Sequence, residues 1–249
     1  MTSILTATDI VREHGEGAGR VKALKGVSLS LEPGELTLLM GPSGSGKTTL
    51  LSILGCILAP TSGKLIVNGI DTQGLTPEQL ADIRRKNIGY AFQSYNLFPT
   101  LTAIENVLLA LDVRGFPANE AAEMALAALK AVGLGHRLKA YPRTMSGGEQ
   151  QRVCIARALA GSPAMILADE PTAALDAENG LAVMALIQQL ARDKSRGVLA
   201  VTHDHRTLPY ADRIITIEDG LIVSDRRQQS TADPKKGTQP RQHAESLKS

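Results

Sequence analysis

The sequence predicts an α/β fold in which a parallel sheet is covered by helices on both faces. Three observations point there. Short, continuous apolar segments recur at 36–40, 88–92, 165–168, 198–202 and 214–217. Helix-length stretches such as 48–58 and 181–191 lie between them. The first apolar segment runs straight into a glycine-rich turn. Strands buried on both faces read as unbroken apolar runs, and their alternation with helices fits parallel crossovers.

Each further stretch has its own reading. Segments 5–10 and 27–31 alternate apolar and polar residues, which suits an antiparallel subdomain at the edge with one wet face. Residues 100–160 are rich in Ala and Leu, with helical spacing at Ala121, Ala125, Ala128, Leu129 and Val132. This predicts a helical insertion between two core strands. Residues 226–249 carry Gln, Ser, Lys and Pro with almost no large apolar side chains and read as a disordered basic tail. The folded domain is therefore expected over 4–225.

Composition narrows the class. The chain has 249 residues, 43% hydrophobic and 21% charged, enough to bury a full core without disulfides or metals. Its two cysteines, Cys56 and Cys154, lie too far apart in sequence to read as a disulfide framework or a zinc ribbon. No apolar run approaches the ~18 residues needed to cross a bilayer. The first residues have neither a basic stretch nor a long apolar run, so no signal peptide is expected. The net charge is +2. Six basic and two acidic residues place +4 in 226–249, which leaves −2 on the rest. The body is thus not a basic, nucleic-acid-type domain.

The chemistry begins at the first turn. Residues 36–49 read LTLLMGPSGSGKTT, an apolar strand, a glycine-rich loop and the start of a helix. Gly41, Gly46, Lys47 and Thr48 match the spacing G-x-x-x-x-G-K-[ST]. Glycines let the backbone curl so that successive N–H groups point at phosphate oxygens, and the helix adds its positive end. The expected cradle is Gly41, Pro42, Ser43, Gly44, Ser45, Gly46, Lys47, Thr48 and Thr49. Lys47 is expected on the β- and γ-phosphates and the Thr48 hydroxyl on Mg²⁺. The fold is then a P-loop NTPase, with ATP and Mg²⁺ as the ligands.

A second segment supplies acids. Residues 164–170 read AMILADE, a buried strand that delivers Asp169 and Glu170 at its C-terminal end, where α/β proteins bind ligands. Asp169 suits a Mg²⁺ partner acting through water. Glu170 suits the general base that polarises the attacking water. A third segment, TMSGGEQQR over 144–152, opens another helix. Ser146 stands at its N-cap, and Gly147 and Gly148 leave the first N–H groups bare. The result is a second anion-binding helix end. One reading is an ordinary capped helix. The other is that two copies meet head to tail, each covering the ATP of the other, in an arrangement that closes at two subunits.

In this order the motifs resemble those of an ATP-binding-cassette (ABC) ATPase subunit, from about residue 4 to 225. They are GPSGSGKTT, Gln93 in YAFQSYNLFP, MSGGE, ILADEPT, AALD and His203 in VTHD. The stretches LGCILAPTSGKLIVNG and LADEPTAALD resemble the subgroup serving macrolide export, lipoprotein release and heterocyst glycolipid export. The resemblance implies further roles. Gln93 would touch Mg²⁺ and the attacking water and contact the membrane partner. His203 would hold the γ-phosphate, Ser146, Gly147, Gly148 and Glu149 would meet the nucleotide of the other copy, and Asp176 would join the two subunits. His14 stands where the family usually places an aromatic ring against adenine. It also implies a homodimer driving a transmembrane permease that moves lipids, lipoproteins or amphiphiles. A periplasmic adaptor, peripheral residence on the cytoplasmic face of the inner membrane, and no nucleic-acid partner complete the expectation. A regulatory ABC ATPase that signals through a membrane protein without transport shares the same motifs.

Overall fold

A computed structural model describes residues 3–15 and 17–228. Among the described residues, ten strands and six α-helices follow one another. They are β1 (Leu5–His14), β2 (Val21–Leu31), β3 (Leu36–Met40), α1 (Lys47–Leu54), β4 (Ser62–Val67), β5 (Ile70–Asp71), α2 (Pro77–Asn87) and β6 (Ile88–Ala91). Then come α3 (Ala103–Val113), α4 (Ala118–Ala131), α5 (Gly147–Leu159), β7 (Met165–Asp169), α6 (Ala177–Ala191), β8 (Gly197–Val201), β9 (Arg213–Glu218) and β10 (Leu221–Arg227).

The strands form two sheets. The larger has the order β10-β9-β3-β8-β7-β6, and the smaller β2-β1-β4-β5. All five segments predicted for a parallel sheet lie in the larger one, and β6, β7, β8, β3 and β9 are mutually parallel. Segments 5–10 and 27–31 belong to β1 and β2, which pair antiparallel in the smaller sheet.

Alternation along the parallel strands sorts the core into two layers. Leu36, Leu38, Ile166, Ala168, Val198 and Ala200 face the apolar sides of α3, α4, α5 and α6. Leu39, Met165, Leu167, Leu199 and Val201 face the other way, onto α1 and the antiparallel sheet. Period-2 side-chain direction makes this unavoidable for a sheet covered twice. The helices begin where side chains close their open N–H groups. Thr76, Thr102 and Ser146 each form a capping box with Gln79, Glu105 and Glu149.

Several boundaries differ from the sequence reading. The helix expected over 48–58 runs Lys47–Leu54 only, because Gly55 caps it and Cys56 turns left-handed at φ 53°. The strand expected over 88–92 stops at Ala91. The helix expected from 181 starts at Ala177, since the Asp176 side chain caps it. Strand β10 runs on to Arg227, so residues 226 and 227 belong to the sheet and not to the tail. Gln228 follows the strand, its N–H donating to the Asp212 carbonyl at 2.7 Å, and residues 229–249 lie outside the described residues. Among the described residues no helix is long and apolar enough to cross a membrane.

Candidate functional site

Three neighbouring strand ends build the site. Register places Leu39 of β3 beside Val201 of β8, and Asp169 of β7 beside Val201 on the other side. The backbone continues the ladder one step further. The Thr202 N–H donates to the Leu39 carbonyl at 3.1 Å, and the Glu170 N–H to the Val201 carbonyl at 3.0 Å. The glycine-rich loop after β3, the acid pair after β7 and His203 after β8 therefore converge at one edge of the sheet.

The loop needs its glycines for closeness. A Cβ at Gly41 would sit 2.0 Å from the Ile217 carbonyl oxygen. Only a residue without a side chain lets the loop pass that close to β9. Gly46 caps α1 at φ 103° with no side-chain cap, which leaves the first N–H groups of that helix open. Lys47 is buried, and its ammonium donates to the Gly41 and Pro42 carbonyls at 2.9 and 2.7 Å. These carbonyls hold the charge at the lip of the loop.

A cavity of about 550 Å³ opens over the loop. Ser43, Gly44, Gly46, Lys47, Thr48 and Thr49 line it from below, Glu170 and His203 from the side, and Ala23 of β2 from the antiparallel sheet. Glu170 and His203 touch, with Nδ1 to Oε2 at 3.0 Å. Glu170 is left-handed at φ 43°, a conformation costing a non-glycine residue about 1–2 kcal/mol. Its carboxylate lines the side of the cavity.

Asp169 is half-buried. Burial raises its carboxyl above the usual aspartate range, the neighbouring Glu170 charge adds to this, and Lys47 opposes it. Among the described residues its buried Oδ1 has no hydrogen-bond partner, and neither has the buried hydroxyl of Ser45 in the loop. No group of three or more His, Cys, Asp or Glu side chains suited to a metal occurs among the described residues. Orphaned oxygen donors beside a phosphate cradle, without a cage of their own, fit a magnesium ion that arrives with phosphates and keeps its waters.

The remaining predicted residues lie elsewhere. Gln93 is exposed two residues past β6 and does not line the cavity. His14 is exposed at the end of β1, opposite Val21, and does not line it either. Ser146, Gly147, Gly148 and Glu149 start α5 outside the cavity. There Ser146 Oγ accepts from the Glu149 N–H at 3.2 Å, Glu149 Oε2 accepts from the Ser146 N–H at 2.9 Å, and Arg137 donates to Glu149 Oε1 at 3.1 Å. Asp176 caps α6 by accepting from the Asn179 N–H at 2.9 Å. A Cβ at Gly148 would come within 2.8 Å of the Asn179 amide oxygen. The α5 start and the Asp176 turn therefore share one surface, separate from the phosphate cavity of the same chain. Ala23 escaped the sequence reading, since nothing in its neighbours signals that a strand of the other sheet walls the site.

A family profile described as "ABC transporter" matches residues 24–173. The chain belongs to this family. It is 44% identical over 223 residues to the macrolide export ATP-binding/permease protein MacB of Aggregatibacter actinomycetemcomitans, covering 90% of this chain and 34% of that protein. The chain thus spans about a third of the length of these macrolide-export relatives. It is also 44% identical over 220 residues to the putative hemin import ATP-binding protein HrtA of Staphylococcus aureus, covering 88% of this chain and 99% of that one. Among solved structures, a dimeric post-hydrolysis state of the ATP-binding cassette MJ0796 bound to ADP and Pi superposes with a TM-score of 0.81 at 40% identity, covering 90% of this chain and 98% of that one. By family and fold this is an ABC-type ATPase cassette.

Proposed function

We propose that two copies of this chain close on two molecules of MgATP, and that hydrolysis reopens them to drive a separate transmembrane permease. One observation carries the reading. The phosphate cavity has a base pair of its own, Glu170 and His203 at 3.0 Å, while the second anion-ready helix end, at Ser146, lies outside it. A second copy turned head to tail brings that end to the open mouth. The dimeric state of the MJ0796 cassette supports the pairing of two copies.

The residues then divide the work. The open N–H groups of the loop and of α1 bind phosphate oxygens, and Lys47 leaves its carbonyls for the β- and γ-phosphates. Thr48 and Asp169 would hold Mg²⁺, with Gln93 as a further contact to it and to the attacking water. The ion neutralises charge on the transferred phosphoryl group. Glu170 takes the proton of the attacking water. His203 holds Glu170 in place and meets the γ-phosphate. His14 would lie against adenine, with Val21 beside it.

The docking surface for the permease falls on a groove of about 710 Å³ beside residues 95–100. Tyr90, Phe98, Leu109, Val113, Arg85 and Arg157 line it, and Phe98 and Val113 are 50% and 63% exposed. Its apolar floor and basic rim suit a short amphipathic helix with acidic ends. Macrolides and hemin both join a large apolar ring to polar groups, so the macrolide-export and putative hemin-import relatives favour an amphiphilic cargo, with lipids and lipoproteins in the same class. A regulatory partner that moves no cargo would use the same groove.

Glu170→Gln tests the chemistry. It removes the base and keeps the shape, so ATP binding should persist, turnover should fall by about 10²-fold or more, and a dimer should accumulate with ATP in size-exclusion chromatography. Near-normal turnover would remove Glu170 from the role of base. Co-purification from gently solubilised membranes tests the partner. Recovery with a permease supports a motor, and recovery in the soluble fraction alone counts against one.

A further inference from the structure

The segment between Gln93 and α3 is anchored near both its ends to the helical layer. At its far end the fully buried Asn106 of α3 accepts from the Phe98 N–H at 2.8 Å and donates to the Leu101 and Thr102 carbonyls, both at 3.0 Å. At its near end two consecutive residues, Tyr95 and Asn96, are left-handed at φ 57° and 48°. Neither is glycine, and paired left-handed residues persist only where their surroundings hold them.

The holder is on α5. Arg157 is half-buried, and its guanidinium donates to the Asn96 carbonyl and, at 2.7 Å, to the Tyr95 carbonyl. A planar fork with two donors fits two successive carbonyls. The Tyr95 side chain reaches the start of the same helix, where a Cβ at Gly147 would lie 3.1 Å from its hydroxyl. Residues 95–96 are thus pinned to α5 at both ends of that helix. Gln93 stands between this pinned turn and Ala91, the last residue of β6 in the core sheet.

We infer that Arg157 is a positioning residue: by holding Tyr95 and Asn96 left-handed, it makes the placement of the Gln93 amide follow the placement of α5. Arg157 also lines the groove assigned to the permease, so whatever fills the groove touches the same clamp. The inference rests on the reading that Gln93 serves hydrolysis.

Asn96 makes the test specific. It is exposed, and its side chain forms no hydrogen bond among the described residues. Glycine at 96 adopts the left-handed conformation freely, so it should replace part of what Arg157 supplies. In the full chain, Arg157→Ala should lower kcat for ATP about tenfold while KM moves less than about twofold. Asn96→Gly alone should stay within about twofold of the parent, and the double variant should recover at least about threefold over Arg157→Ala. Arg157→Lys should fall between, because one ammonium cannot span both carbonyls as the fork does. Gln93→Ala is measured alongside. A fall in its kcat with none for Arg157→Ala overturns the clamp alone. No fall for Gln93→Ala removes the role of Gln93, and the inference with it. Equal losses in Arg157→Ala and the double variant, tracking a lower melting temperature, reduce Arg157 to a packing role and overturn the inference.

Discussion

Asp169 is where function and stability pull apart. Its carboxyl loses water on folding and faces Glu170, so its proton affinity rises above the ordinary value of 3.8. In the folded chain it keeps its proton to higher pH than in the unfolded chain, so the folded state binds more protons. Stability from this group therefore falls as pH rises from the ordinary aspartate value through the raised one, and stays lost at neutral pH. Asp169→Asn removes the charge with little change of shape. Without nucleotide or magnesium, at pH 7 to 8, it should melt about 1–3 °C higher than the parent, and the gap should shrink as pH falls below the aspartate range. Magnesium-dependent hydrolysis should fall in the same variant. A melting point at or below the parent's in calorimetry would mean that the buried charge is already compensated. The sequence offered both acids as a pair at the end of an apolar run, which was enough to single them out. It held no sign of the left-handed turn at Glu170, because backbone strain belongs to the surroundings that enforce it and not to the residue.

Elements show why some boundaries were legible and others were not. The parallel strands announced themselves, because burial on two faces demands unbroken apolar runs. Strand β10 did not. Its turn, Asp219–Gly220, is left-handed at both residues, φ 46° and 76°, and Asn68–Gly69 makes the same two-residue turn at 47° and 78°. Those dipeptides are the local signal for a hairpin and lay open in the sequence. The polar run SDRR masked the strand, yet the structure uses those charges. Arg213 of β9 is buried and donates to both oxygens of Asp225, at 2.7 and 2.6 Å, while Arg227 pairs with the buried Glu35 at 2.9 Å. Packing of α5 on the sheet was equally hidden. A Cβ at Gly89 of β6 would lie 2.0 Å from the Ala158 carbonyl oxygen of α5. The helix therefore rests against the backbone of the strand, and nothing can enter without moving it. Gly89→Ala should cost about 1–3 kcal/mol as an overpacked core does, read as a melting temperature several degrees lower. It should also disturb the groove that Tyr90 and Ala158 line nearby. An unchanged melting temperature would show that α5 can slide along the strand.

At the scale of the whole molecule, the phosphate cavity and the start of α5 do not meet. The sequence offered both segments as anion-ready helix starts, but their separation is a matter of three-dimensional placement, set by α5 lying across the parallel sheet from α1 and the glycine-rich loop. Partner and cargo were not legible for a related reason: the groove proposed for docking is formed by side chains from α2, β6, α3 and α5, which only the fold brings together. The head-to-tail reading makes a demand that a single complete site would not. Ser146 caps α5 at a surface that faces no phosphate of its own chain, so a bulky cation there should harm only the nucleotide bound by the other copy. Ser146→Arg should leave ATP binding to the single subunit within about twofold, since the loop and Lys47 are untouched, and should abolish hydrolysis in the pure variant. Mixed dimers then separate the geometries. When a subunit carrying Ser146→Arg is paired with one carrying Lys47→Ala, each shared site is assembled from the loop of one copy and the α5 start of the other. One site then contains both lesions and the other contains none, so about half of the parental hydrolysis per dimer should survive if the sites act independently. If each chain completed its own site, both subunits would be dead and the mixture would show no hydrolysis. The pure variants supply the baseline in either case, and equal loss in the mixture and in the pure variants would overturn the shared-site arrangement.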